Sequence, residues 1–313
     1  MENSETDKQQ NLKLEDRMKL YETEYNLAIP TDHCYCIRLD GHKFSTFTRG
    51  LDKLYDINLS KAMVFATASA VKEFSARAGY TQSDEITLVF EQPITENGQT
   101  HLYSGRVQKL VSLTASYVSI KFNFYLKKFI EKFVFDNPEQ KIYNNRTLNK
   151  IIRNSAYFDG RILSFTRENR YELLNHLLWR TQDCYRNCIQ KYAYFLYGPQ
   201  KVLNMNCKDM IKLIEEKNIK WDNVPQSDKT SPDESPISRT VPDWQKYGVF
   251  IKKELILNQG QDGLTPRSRM FAFSFKLFYA DDVVDFFMNH YYHANDNINA
   301  TEFPYFDEFN EFN

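Results

Sequence analysis

Two short pairs, Asp40-Gly41 and Asp84-Glu85, have the residue types and the setting to do chemistry. The first follows a short β-like run at 33–39 (HCYCIRL). The second opens the apolar half of GYTQSDEITLVF. There Ile86, Leu88 and Phe90 fall on one side of a period-two pattern and Thr87 and Val89 on the other. Adjacent carboxylates at its start point to opposite faces, and one turned toward an apolar sheet needs a partner. If the two runs are neighbouring strands, Asp40 and Asp84 converge, with the Gly41 carbonyl close by. Oxygen donors of this kind suit a hard cation. Such sites hold magnesium in nucleotidyl transfer, where two ions clamp the attacking and leaving oxygens. Lys53, Arg106 and Lys109 add positive charge near the same sheet, and a helix N-terminus near Val107 would favour a triphosphate. Taken alone, the stretch also reads as a turn with solvated acids before a strand.

The elements that must position these residues follow from periodicity. Helical patterns cover 12–25, 59–78, 107–129, most of 167–197 and 210–217. Strand patterns cover 33–39, the run after Glu85, 156–165 and 249–257. The β-α-β order, then helix and strand again, predicts an α+β fold: a ferredoxin-like palm sheet with packed helices and a C-terminal helical extension. The expected divisions are a flexible segment at 1–20, a palm-like catalytic domain at 21–135, a second region at 136–257 and an extension at 258–313. The Ser/Pro/Asp-rich stretch 226–243 reads as a mobile loop. Tyr279-Ala280-Asp281-Asp282 spells the YxDD of reverse-transcriptase palms, but DDVVDFFMNHYY reads as a helix with acids in its first turn.

Composition limits the function classes. The net charge of −1 provides no global basic field, so a polyanion must be met by a local patch. Lys127, Lys128, Lys132, Lys141, Arg146, Lys150 and Arg153, with Phe133 and Tyr143 among them, form a run suited to RNA phosphates and unpaired bases. A solvated helix face is the alternative reading. Five cysteines at irregular spacing argue for reduced thiols rather than a disulfide framework or zinc. No apolar run reaches membrane-spanning length. The polar start MENSETDKQQ carries no targeting signature, so the expectation is a soluble cytoplasmic protein, with mitochondria left open.

RLDGHKFSTFT, KLYD, GYTQSDEITLVF, GRVQKLVSLTAS, AYFDGRI and LLWRTQDCYRNCIQKYA, in that order, resemble the tRNA-His guanylyltransferase superfamily. The resemblance covers about 20–257 and is strongest to the guanylyltransferase-like branch of 3′→5′ RNA polymerases. It implies a palm-like sheet and nucleotide addition at tRNA 5′ ends. In that reaction an NTP activates the 5′-monophosphate, and the 3′-OH of an incoming NTP then attacks. It also implies two Mg2+ ions, ATP, GTP and other NTPs as substrates, and a homotetramer. By motif, Asp40, Gly41 and Asp84 resemble the metal ligands, and Glu85 a supporting catalytic acid. Arg38, Gly41, His42, Lys43, Phe44, Lys53, Asp56, Ser83, Arg106 and Lys109 resemble nucleotide contacts. Arg146, Lys150, Arg153, Arg180, Arg186 and Asn187 are the expected tRNA contacts.

Two positions depart from the family pattern. Where guanylyltransferases proper carry HINNLYN, this chain has Tyr185 in place of the His, while Arg186-Asn187 match the like-protein branch. Ser45 stands where the first block has a His. The departures favour template-dependent repair of truncated or mismatched tRNA 5′ ends. The alternatives are addition of G to tRNA-His, a non-catalytic tRNA-binding relative, and a palm-related nucleotide cyclase.

Overall fold

A computed structural model describes residues 12–51, 54–221, 239–260, 263–293 and 298–309. Helix α1 (Leu14–Thr23) buries none of its residues. Strand β1 (His33–Gly41) follows, then one helical turn at Phe44–Phe47. Helix α2 (Ile57–Glu73) starts where the Asp56 carboxylate accepts the Leu59 N–H, an N-cap. Strands β2 (Ala78–Gln82) and β3 (Glu85–Phe90) form a hairpin around Ser83-Asp84. Then come α3 (Val107–Asp136), α4 (Asn145–Ile152) and β4 (Phe158–Thr166).

The spatial order β2-β3-β1-β4 is antiparallel throughout. With α2 and α3 as the two crossovers it is the expected ferredoxin-like arrangement. The strand β2 was not anticipated. The helical pattern assigned to 59–78 stops at Glu73, and its last residue opens β2.

One face of this sheet is apolar. Tyr35, Ile37 and Leu39 of β1 and Ile86, Leu88 and Phe90 of β3 pack against Ala62, Met63, Ala66, Ala70 and Val71 of α2 and Leu110, Val118 and Phe122 of α3. Each buried Leu, Ile or Phe contributes about 1.5–3 kcal/mol relative to exposure. The long helix α5 (Tyr171–Tyr197) is set against the other face, where Leu173, Leu174 and Leu177 cluster with Val89. Its second half packs on α6 (Cys207–Glu215) through Cys188, Ile189, Met210 and Ile214.

The sheet continues on the β2 side. Strand β5 (Val249–Gly260) pairs with β2, β6 (Gly263–Ser274) with β5, and Thr301–Glu302 with β6. The division expected at 257 therefore falls inside β5. The extension carries the expected helix, α7 (Asp281–Met288), but opens as a strand because its residues alternate between two cores. Met270 and Ala272 join the main one, and Phe271 and Phe273 pack in the second. Asp281 and Asp282 occupy the first turn of α7, the helical reading of the YxDD tetrad.

Of the expected loop at 226–243, residues 226–238 lie outside the described residues. Arg239–Thr240 pairs with Ile219–Lys220, and a short helix starts at Asp243. All five cysteines are free thiols, four of them buried. Among the described residues no helix is long and apolar enough to cross a membrane.

Candidate active site

Asp40 lies near the end of β1, in register with Glu85 of β3. Asp84 is in the hairpin turn one residue earlier. Ser83 holds that turn in the left-handed region at φ 51 and donates its Oγ to Asp84 Oδ1 at 3.0 Å. The Gly41 N–H donates to the Asp84 carbonyl at 3.0 Å, so the ends of β1 and the hairpin are tied together. Gly41 leaves room for the Phe44 ring: a Cβ there would lie 2.2 Å from it. Asp84 and Asp40 are each half-buried. Burial holds the Asp84 carboxyl above the usual range, and the Asp40 charge adds to the rise.

Asp40 and Asp84, close enough for one charge to act on the other, offer oxygen donors. Their mutual repulsion is the kind a hard divalent cation relieves. Among the described residues no group of three or more His, Cys, Asp or Glu is arranged to hold a metal. The set is a two-carboxylate one that leaves positions for phosphate oxygens and water, as magnesium sites do.

Glu85, expected as a supporting acid, is engaged elsewhere. Its two oxygens accept from Arg180 Nε at 2.6 Å and Arg180 NH2 at 2.7 Å. Arg38 Nε stands 3.8 Å away. Burial raises the Glu85 carboxyl, and Arg180 and then Arg38 oppose the rise. Arg180 also donates to Asp183 at 2.9 Å, and its side chain is 8% exposed. The expectation that Arg180 meets tRNA is corrected: its guanidinium is buried and committed within the protein.

A cavity of about 310 Å3 opens beside this hairpin. It brings together three residues expected from sequence, Asp56, Ser83 and Asn187. Lys191, Trp244 and Gln245 also line it and were missed. Lys191 lies inside the quoted block LLWRTQDCYRNCIQKYA, one helical turn after Asn187, so spacing on α5 was the available signal. Tyr185 accepts a hydrogen bond from Trp221 Nε1 at 2.8 Å and stacks on Tyr247.

The remaining expected residues are spread out. His42 stacks on Tyr157, and Lys43 is exposed with φ 53. The Phe44 side chain is corrected to a core residue, packed on Phe47, Phe122 and Phe158. Only its backbone can face a nucleotide. Arg106 and Lys109 open α3, with Arg106 Nε on the Tyr103 carbonyl. Val111 meets Gly160, the partner of Leu39, and Ser119 meets Phe158, the partner of Gly41. The helix thus runs toward the Asp40 end of the sheet, and its N-terminus is directed away from it. Lys53 lies outside the described residues.

Arg146 and Arg153 are exposed around α4. Lys150 donates to the carbonyls of Phe47 and Arg49 at 2.6 and 2.8 Å, which pins the turn after β1. Arg186 and Asn187 both donate to Asp183.

Residues 15–166 match the pattern of the tRNAHis guanylyltransferase (Thg1) family. An uncharacterised protein of Acanthamoeba polyphaga mimivirus is 42% identical over 284 residues, 88% of this chain and 89% of that one. A bacterial tRNA(His) guanylyltransferase-like protein in complex with ATP superposes with a TM-score of 0.59 at 27% identity, covering 82% of this chain and 91% of that one. The tRNA(His) guanylyltransferase of Saccharomyces cerevisiae shares the fold, with a TM-score of 0.53 at 20% identity over 74% of this chain and 90% of that one.

Proposed function

The chain belongs to the tRNA-His guanylyltransferase superfamily, and we propose that it adds nucleotides in the 3′→5′ direction to the 5′ end of tRNA. In this reading it copies the opposite strand of a truncated or mismatched acceptor stem. The observation that carries the reading is the convergence of Asp40 and Asp84, tied together by the Gly41 N–H on the Asp84 carbonyl. Asp40, Asp84 and the Gly41 carbonyl would hold magnesium. When bound, such ions neutralise phosphate charge and stabilise the leaving oxygen.

The chain's own residues do the rest. Ser83 orients Asp84 through its hydroxyl. The cavity beside the hairpin, walled by α2, β2 and α5, accepts a nucleoside triphosphate, with Asp56, Asn187 and Lys191 as polar contacts. Solved relatives bound to ATP and to GTP support nucleotide substrates. Tyr185, held by Trp221 and Tyr247, replaces the His of guanylyltransferases proper, which favours templated addition over a fixed G. A homotetramer sharing one tRNA explains how a chain of net charge −1 engages a polyanion. The cytoplasm is the proposed compartment.

The test is a 5′-monophosphorylated tRNA lacking its first nucleotide, given four NTPs and magnesium. Wild type should restore the paired end and stop. Asp84→Ala should lower the rate by about 10³-fold or more, since it removes a charge that acts at the reacting phosphates. Tight binding without extension would point instead to a tRNA-binding relative, and NTP turnover without RNA to a cyclase.

A further inference from the structure

Strand β4 ends the sheet on the side away from β2. Directly paired residues of antiparallel strands share a face. The register Arg38↔Arg161 and Asp40↔Asp159 therefore puts Arg161 and Asp159 on the face that carries Asp40. One step further, the His42 N–H donates to the Tyr157 carbonyl, and their rings stack at 4.8 Å. At the Arg38 end, α5 supplies Trp179, with the Arg180 and Arg38 guanidinium carbons 4.3 and 5.7 Å from its ring centre. Trp179 and Tyr157 are 52% and 54% exposed.

Asp40 is thus bracketed along β1. Arg38, with Trp179 beside it, is two residues to one side and His42, with Tyr157 beside it, two residues to the other, a backbone spacing of about 7 Å in each direction. Each half-exposed ring is backed by the protein, Trp179 by Arg180, Arg38 and His176 and Tyr157 by His42, so little freedom is lost when its exposed part is covered. Across the sheet, the 310 Å3 cavity lies on the β2 side and this strip on the β4 side, with Asp84 and Asp40 between them.

We propose that the β4 edge seats the acceptor end of the RNA. Unpaired bases stack on Trp179 and Tyr157, and exposed Arg161 exchanges its pairing with Asp159, at 3.4 Å, for a phosphate. The 5′ end thereby reaches Asp40 from the side opposite the nucleotide cavity. Base–aromatic stacking tolerates any sequence because every base has a π-face, as repair of varied acceptor stems requires. The inference rests on the tRNA reading above.

The experiment uses the full chain and an acceptor-stem minihelix lacking its first nucleotide, with 2-aminopurine at the base left unpaired. Wild type should quench the fluorophore on binding. Trp179→Leu and Tyr157→Leu should each weaken binding roughly 5- to 100-fold and relieve the quench, while the KM for NTP stays within about twofold. Trp179→Phe should retain most of the quench, because a ring remains. Leucine variants that bind and quench like wild type would overturn the proposal. So would leucine variants that alter the mass of the assembly and not RNA binding, since the strip would then be a subunit contact. Wild type that quenches but never extends the minihelix would overturn the repair reading and still support the platform.

Discussion

The two faces of β1 differ in what they are made of and in what they leave unsettled. Tyr35, Ile37 and Leu39 enter an apolar core at 0–1% exposure, with nothing polar left to satisfy on those side chains but the Tyr35 hydroxyl. Arg38 and Asp40, on the other face, meet Glu85, Thr87, His176 and Arg180. Among the described residues, three buried polar atoms on that face, Arg38 Nε, Thr87 Oγ1 and His176 Nε2, have no hydrogen-bond partner within the protein, Arg38 Nε lying 3.8 Å from Glu85. Unsatisfied buried polar groups are costly. Their concentration behind Asp40 sets this polar face apart from the apolar one. The first face holds the sheet together, and the second spends part of that stability to carry charge to the edge where Asp40 and Asp84 meet.

The largest effect that sharpens this comparison comes from substituting one residue on each face. Leu39→Ala should cost about 2–5 kcal/mol through a core cavity, with the rate per folded molecule little changed. Arg180→Leu should cost about 3 kcal/mol, because buried Glu85 then keeps only Arg38, at 3.8 Å, as an ionic partner. It should also lower the rate, because Glu85 adjoins Asp84. Removing the charge as well, in Glu85→Gln with Arg180→Leu, should recover a large part of the stability and not the rate. Denaturant unfolding and the extension assay read the two quantities separately. A stability loss under about 1 kcal/mol for Arg180→Leu would break the comparison.

A smaller effect is confined to acid. Burial, and then the charges of Arg38 and Arg180, hold His176 down to about 4 from 6.5. The lowered value means that the stability associated with its neutral form is complete above about pH 6.5 and is lost as pH falls toward 4. At about 1.36 kcal/mol per unit the loss approaches about 3 kcal/mol. Asp84 and Glu85, both raised, contribute the opposite slope, with stability lost as pH rises through their folded values. The difference between wild type and His176→Phe isolates the histidine. Unfolding free energies should diverge from pH 7 to pH 4.5, with the variant losing less. Parallel curves would mean that His176 does not titrate as a buried neutral group.

The apolar face was the more legible of the two in the sequence. Period-two and helical stripes placed β1, β3, α2, α3 and β4 close to where they lie, because each pattern is local. Strand β2 was lost because AGYTQ is short and carries no strong alternation. Its Gly79 sits where a Cβ would be 2.7 Å from Thr67 and Val71 of α2, a contact between elements that no window reveals. On the charged face the carboxylates were legible as Asp-Gly and Asp-Glu at strand ends. Their surroundings were not. Arg180 lies 95 residues from Glu85, and only the docking of α5 on the sheet brings them together. The same docking sets Trp179 beside Arg38 and Lys191 beside the cavity, so Trp179 had no signal beyond its place in a family block and Lys191 only its spacing from Asn187.

The smallest expected effect concerns Asp56, where the two faces' demands meet in one carboxylate. It caps α2, the helix that covers the apolar face, through the Leu59 N–H, and it accepts from the Tyr143 hydroxyl at 2.9 Å. It also lines the cavity assigned to the nucleotide. Asp56→Ala removes the cap and should cost about 1 kcal/mol, with somewhat more for the stranded hydroxyl. Asp56→Asn keeps an acceptor for Leu59 and should stay within about 0.5 kcal/mol of wild type, since Asn and Asp cap about equally well. The asparagine variant therefore separates the two roles. If Asp56 only holds α2, the KM for NTP in the extension assay stays at its wild-type value. If its charge also orients the nucleotide, that KM shifts while the unfolding midpoint does not, and the carboxylate belongs to both faces at once.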